Sequence, residues 1–313
     1  MSLLPRRALL LFLDGVGIGE PDPQRNAFAA AGLPHLKRLL GGRLPQSGEV
    51  ERTGGLESER AVFVAADARL GVEGRPQSGT GQTALLTGRN AARMFGRHFG
   101  PWVPTPLREM LARENLLSRA VSAGRSAAFA NSYPLHRGVA RRPIATALAA
   151  HAAGLLTRDL KELREGSAVA SSITHEIWRA HPGGEKIPEV TAEEAGGRLA
   201  RIAAGVELTL FAHYDTDLVG HRGSLADAVA ALERVDAFLG GVLEALPADA
   251  LLVIASDHGN IEDATMGHTL NPVPVIAAGP GRQVIAARVR SITDVAPSIL
   301  DLLGGEERPP KAT

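Results

Sequence analysis

Six apolar runs of strand length recur along the chain: ALLLFLD at 8–14, AVFVAAD at 61–67, SAAFAN at 126–131, LTLFAHYD at 208–215, ALLVIASD at 250–257 and VPVIAAG at 273–279. Between them, PHLKRLL, PLREMLAREN, TAEEAGGRLARIAA, SLADAVAALERVDAFLGGVLEAL and TDVAPSILDLLG carry apolar residues at helical spacing. Strand-length runs alternating with helical patterns predict an α/β fold with a mostly parallel central sheet flanked by helices. Thr191 followed by Glu194 reads as a capping box at the start of a helix. The alternation breaks once. Residues 134–185 read as helical and rich in Arg and Ala, without a buried strand, and predict a small, mainly helical lid inserted into a core formed by 1–133 and 186–313.

Three of the runs finish in a potential metal ligand: Asp14, then Asp215 and Asp217, then Asp257. In parallel α/β sheets ligands bind outside the carboxyl ends of the strands, so acids far apart in sequence converge there. His221 follows Asp217 by one helical turn, and the stretch SDHGNIEDATMGHTLNPVP adds His258 and His268. The chain has no cysteine, so this set offers oxygen and imidazole donors alone. Such donors suit Mn²⁺, Zn²⁺ or Mg²⁺, and there are too many for one tetrahedral ion. Two divalent ions ~3.5 to 4 Å apart would clamp the attacking and leaving oxygens of a phosphoryl transfer.

A nucleophile for that chemistry belongs at another strand-to-helix junction. RPQSGTGQTALLTGRNA offers Ser78, Thr80 and Thr83 ahead of a helix whose first amides can hold a phosphate. Charge narrows the partners: Lys+Arg 34 against Asp+Glu 34 leaves a net charge of +0, which recruits neither nucleic acid nor an anionic membrane. No stretch approaches the ~20 apolar residues of a membrane helix. The apolar run near the N-terminus is too short for a signal peptide and leads into Asp14 without a small-residue cleavage site, so a cytoplasmic location is expected.

These motifs, in this order, resemble the alkaline phosphatase superfamily, in the branch of cofactor-independent phosphoglycerate mutase and phosphopentomutase. FLDGVGIGEPDPQRNAFAAAGLPHLKRLL resembles that branch's first strand and loop, DTDLVGHRG its Asp-x-x-x-His motif, SDHGNIED its Asp-His pair, and GHTLNPVPVIAAGPG its final histidine. The resemblance covers roughly residues 8–93 and 186–304. It implies an alkaline phosphatase-like core and two divalent ions, Mn²⁺ favoured over Zn²⁺ or Mg²⁺. One ion would be held by Asp217, His221 and His268, and the other by Asp14, Asp257, His258 and the Ser78 hydroxyl. Ser78 is preferred to Thr80 as the nucleophile, because it keeps the family's spacing to Gly88 and Arg89. The chain departs from the mutases at Gln82, where their histidine would fall, and at 134–185, which is much shorter than their second domain.

The expected activity is phosphoryl transfer on a small phosphorylated metabolite through a phosphoserine, with net hydrolysis favoured over a mutase reaction because the lid is small. A diesterase or sulfatase on the same core, or a non-catalytic metal-binding protein, are the alternatives. Arg89, Asn90, Arg137, Arg141 and Arg142 are candidates for binding the substrate's phosphate or carboxylate. A homo-oligomer is compatible with this reading and could supply closure that the lid does not.

Overall fold

The computed structural model describes residues 4–48, 55–134, 141–180, 184, 186–263 and 265–304. Seven strands form one sheet: β1 (Arg7–Leu13), β2 (Gly55–Glu57), β3 (Ala61–Ala66), β4 (Ala127–Phe129), β5 (Leu208–His213), β6 (Ala250–Ala255) and β7 (Val273–Ala278), in the order β2-β3-β7-β6-β1-β5-β4. All six runs found in the sequence are strands, and the short β2 is an addition. The sheet is mixed. β6, β1, β5 and β4 pair in parallel, whereas β2, β3, β7 and β6 pair antiparallel.

The polarity of these strands decides what meets at each edge. In the register, Leu13 of β1 stands beside His213 of β5, and Phe12 beside Ala255 of β6, so the three strands end at one level. β7 runs against β6 with Ala255 opposite Val275, so the loop that enters β7 arrives at the same edge. β3 runs against β7 with Ala66 opposite Val273, and therefore exits there too. Five chain segments converge on one rim of the sheet.

Both faces of the sheet are buried, which is why its strands are apolar almost throughout. Leu10 and Phe12 of β1 face one layer, and Leu9, Leu11 and Leu13 the other. The first layer contains helices α1 (Ser78–Thr87), α2 (Arg108–Glu114), α3 (Leu116–Ser122), α4 (Ala145–Ala152) and, later in the chain, Val295–Leu302. The second is built on α5 (Ala192–Ala204) and the 21-residue α7 (Leu225–Ala245), with the short α6 (Asp215–Arg222) between them in sequence. The Thr191 hydroxyl accepts from Glu194 N at 3.1 Å, and the Glu194 carboxylate accepts from Thr191 N at 2.9 Å, which is the capping box expected for α5.

The described part of the segment expected as a lid holds three short helices, Ala145–Ala152, Leu160–Glu165 and Glu176–Arg179, and the first of them belongs to the core. Ala145, Ala149 and Ala150 of α4 are buried in the same cluster as Phe12 and Leu85. The register of β4 continues into it through a bridge between Asn131 and Val169. What stands apart is a small cluster of Leu163, Ala168, Ala170 and Ile187, flanked by Leu160 and Trp178. The physical reason is composition: an alanine-rich helix is thin enough to pack against α1, α2 and α3, and the sequence gives no sign of which neighbour it chooses. No helix among the described residues is long and apolar enough to cross a membrane.

Candidate metal centre

Asp14 follows β1, Asp257 and His258 follow β6, Asp217 and His221 lie one turn apart on α6, and His268 lies in the loop before β7. The structure brings all six together. Asp14, Asp257 and His258 place one donor atom each within 4.8 Å of one another, and Asp217, His258 and His268 do the same. His221 joins the second group, with Nε2 2.9 Å from His268 Nε2 and 3.4 Å from Asp217 Oδ2. His258 thus stands between the two groups: its Nε2 is 3.4 Å from Asp14 Oδ1, 3.6 Å from Asp257 Oδ2 and 4.0 Å from Asp217 Oδ1. Its ring stacks on His268 at 3.9 Å between centroids.

Several details fit cations at this place. Asp14 Oδ1 and Asp257 Oδ2 are buried and accept no hydrogen bond. Buried carboxylate oxygens left so are costly unless a positive charge serves them. His268 Nδ1 sits 2.8 Å from the Pro76 carbonyl, which fixes the proton there and leaves Nε2 as a lone-pair donor. The close Nε2 pair of His221 and His268 has the form of two ligands aimed at a shared point.

The electrostatics agree. Burial drives the Asp257 carboxyl well above its usual range, and the charge of Asp14 beside it adds to the rise. Burial alone would lower the His258 pKa, yet Asp257, Asp14 and Asp217 together raise it to about 10. Burial would raise Asp217 as well, but hydrogen bonding to His268 and the charge of His258 outweigh it and bring the carboxyl down to about 2.

Ser78 is the first residue of α1, whose start is wedged between two walls. A Cβ at Gly79 would lie 2.1 Å from Trp102 O, and one at Gly81 2.9 Å from Asp257 O, so the glycines of SGTG permit the approach. The Ser78 hydroxyl consequently lies 3.0 Å from His258 Nε2. Thr80 is turned the other way: its hydroxyl is 3.3 Å from Gln77 O and accepts from Phe99 N at 3.1 Å. Gln82 Nε2 donates to Asp14 Oδ2 at 3.0 Å, so the residue that departs from the mutase pattern holds a metal-ligand candidate in place.

The arginine and asparagine candidates divide. Arg89 and Asn90 lie beyond the far end of α1, about 15 Å along the helix from Ser78. Arg89 is paired with Glu114 at 2.6 Å, and Asn90 caps the next helix and donates to Leu70 O, so both are structural. Arg142 stacks over the Trp102 ring at 4.6 Å, on the loop that backs Ser78. Arg141 is exposed, and Arg137 lies outside the described residues. Missed in the sequence were Glu262 and Asn260, which bind the ligand loops to one another, and Tyr214, whose hydroxyl meets that of Thr146. The only signal for the first two was their place directly after Asp257 and His258.

An α/β sheet carries an Asp/His cluster on its carboxyl rim, and residues 186–307 match the Metalloenzyme superfamily. The chain resembles the alkaline phosphatase superfamily and, within it, the phosphoglycerate mutase branch. The 2,3-bisphosphoglycerate-independent phosphoglycerate mutase of Paracoccus denitrificans is 43% identical over 136 residues, which are 40% of this chain and 26% of that protein. The match therefore spans about a quarter of the length of such curated relatives. In structure the likeness is longer. A Pyrococcus horikoshii protein aligns with a TM-score of 0.58 and 14% identity, over 99% of this chain and 100% of its own. The alkaline phosphatase of the Antarctic bacterium TAB5 aligns with a TM-score of 0.50 and 11% identity, over 96% and 98%. These two likenesses concern the fold alone.

Proposed function

We propose that the chain is a two-metal phosphoryl-transfer enzyme acting on small phosphate monoesters, with Ser78 as the residue transiently phosphorylated. The observation that carries this reading is the Ser78 hydroxyl 3.0 Å from His258 Nε2, where the two donor groups meet. One ion would be held by Asp217, His221 and His268, the other by Asp14, Asp257, His258 and Ser78, with Mn²⁺ favoured over Zn²⁺ or Mg²⁺. Bound there, the ions supply Lewis acidity and charge neutralisation to the phosphoryl oxygens.

The chain's own residues do the rest. The N-terminus of α1, where Ser78 is the first residue, favours an incoming phosphate. Ser78 Oγ attacks phosphorus, losing its proton, as the bond from phosphorus to the ester oxygen breaks and that oxygen leaves with a proton as the alcohol. Phosphate is then carried on Ser78 until a water or a second hydroxyl takes it. Arg142, stacked on Trp102, and Arg141 are the candidates for holding the remainder of the substrate.

Net hydrolysis is the favoured outcome. A mutase must keep its dephosphorylated intermediate bound and dry, and among the described residues of 134–185 the hydrophobic packing outside the core is one small cluster, completed by Ile187. Isomerisation is the second reading, favoured by the names of the relatives matched in sequence. The test supplies the metal-loaded protein with a panel of phosphate monoesters, including 3-phosphoglycerate and pentose 1-phosphates, and follows inorganic phosphate and isomeric product together. Phosphate release is expected. Isomer without phosphate release, lost on replacing Arg141 and Arg142 by Ala, would establish the mutase, and no turnover of any ester would reject the enzyme reading.

A further inference from the structure

We infer that Glu262 is a positioning residue of the metal centre, whose carboxylate ties the loop after β1 to both ligand-bearing stretches of the loop between β6 and β7; the inference rests on the two-metal reading above. Glu262 is 1% exposed. Its Oε2 accepts from the backbone N–H of Gly17 at 2.9 Å and of Asn260 at 2.7 Å. Its Oε1 accepts from the Thr269 hydroxyl at 2.5 Å and from Asn271 Nδ2 at 3.1 Å. Gly17 belongs to the loop that Asp14 opens, Asn260 comes two residues after His258, and Thr269 is next to His268.

The reach extends to the fourth segment through Asn260. Glu262 fixes the Asn260 backbone, and the Asn260 side chain donates to Asp217 Oδ1 at 2.7 Å and to Asp217 O at 3.1 Å. Space has been cleared for the carboxylate as well. A Cβ at Gly17 would lie 2.1 Å from Glu262 Oε1, and a Cβ at Gly259 2.2 Å from the same atom.

Chemistry makes the position specific for a carboxylate. Four donors converge on two oxygens, and an ionised carboxyl is the one side chain that offers about four acceptor sites and no donor. A glutamine there sets its own NH₂ against two other donors whichever way the amide is turned. Loops released in this way lose the alignment of Asp14, His258 and His268, and partners of this kind are worth about 10- to 100-fold in metal affinity.

The experiment titrates Mn²⁺ into metal-stripped protein by calorimetry and records the melting temperature of each metal-free variant in parallel. Glu262→Gln is expected to weaken Mn²⁺ binding by about 10- to 100-fold. Asn271→Ala, which removes one donor of the four, is expected to weaken it about two- to fivefold. Asp236→Asn is the control for merely structural damage, since Asp236 is also a buried carboxylate accepting two backbone N–H groups, from His35 and Leu36, but in the helical layer behind the sheet. It should melt lower with unchanged Mn²⁺ affinity. Wild-type affinity in a folded Glu262→Gln, or an equal loss in Asp236→Asn, would overturn the inference. Should Glu262→Gln not fold, unchanged affinity in Asn271→Ala overturns it instead. Failure of the wild-type chain to bind Mn²⁺ defeats the two-metal reading itself.

Discussion

Ser78 and Thr80 are two residues apart on one helix and have opposite surroundings. The Ser78 hydroxyl faces His258, while that of Thr80 is spent on the Phe99 loop. Ser78→Ala is expected to lower turnover of a phosphate ester by about a thousandfold or more, as removal of a nucleophile does. Thr80→Ala should cost about 1 kcal/mol of stability through the lost hydrogen bond and less than about tenfold in rate. Trapping the phosphoenzyme and locating the phosphate by mass spectrometry checks the pair; phosphate on Thr80 would move the nucleophile. At this scale the metal-ligand candidates were legible, because Asp14, Asp217 and Asp257 end apolar runs and the histidines keep short spacings to them. Arg89 and Asn90 misled, because adjacency in sequence to a helix that begins at the site says nothing about which end the residue occupies. Glu262 was illegible for a different reason: three of its partners, Asn260, Thr269 and Asn271, share its loop at spacings that match no motif, and the fourth, Gly17, comes from the far end of the sequence.

At the scale of elements, strand existence could be read and strand direction could not. β3 and β7 are as apolar as β1, since a strand buried on both faces looks the same run either way. Their antiparallel pairing is nevertheless what carries His268 and α1 to the rim. In the stretch after β4, α4 is part of the core, and Leu163, Ala168 and Ala170 belong to a small cluster of their own. That stretch also carries a titrating group. His175 is 1% exposed, with Nδ1 2.8 Å from Pro188 O and Nε2 buried without a partner. Burial lowers its pKa below the ordinary 6.5, so the folded chain keeps it neutral where the unfolded chain protonates. The unfolded state then binds more protons, and stability falls as pH drops below about 6.5. Melting temperatures recorded from pH 7.5 to about 5.5 should show a shallower decline in His175→Gln than in the parent.

For the whole molecule, the cluster of buried carboxylates makes stability depend on what occupies it. A ligand that binds the folded chain alone stabilises it by about 2.7 kcal/mol at a hundred times its dissociation constant. Metal-stripped protein is therefore expected to melt lower than protein in excess Mn²⁺ or Zn²⁺, and a chelator should reverse the gain. An unchanged melting temperature in both ions would count against a metal centre.

The position of β1 has a further consequence. It lies in the middle of the sheet, and both of its neighbours, β5 and β6, come from residues beyond 200. As the chain leaves the ribosome, Leu9, Leu10, Leu11 and Phe12 have no strand to pair with until β5, which begins at Leu208, has been made. This apolar segment thus waits through β2, β3 and β4 for its first partner, and such distant pairings are slow to form and exposed to aggregation meanwhile. Metal capture comes later still, because Asp14 meets His268 only after β6 has closed beside β1. The first donor of the candidate centre is thus made long before the residues that surround it.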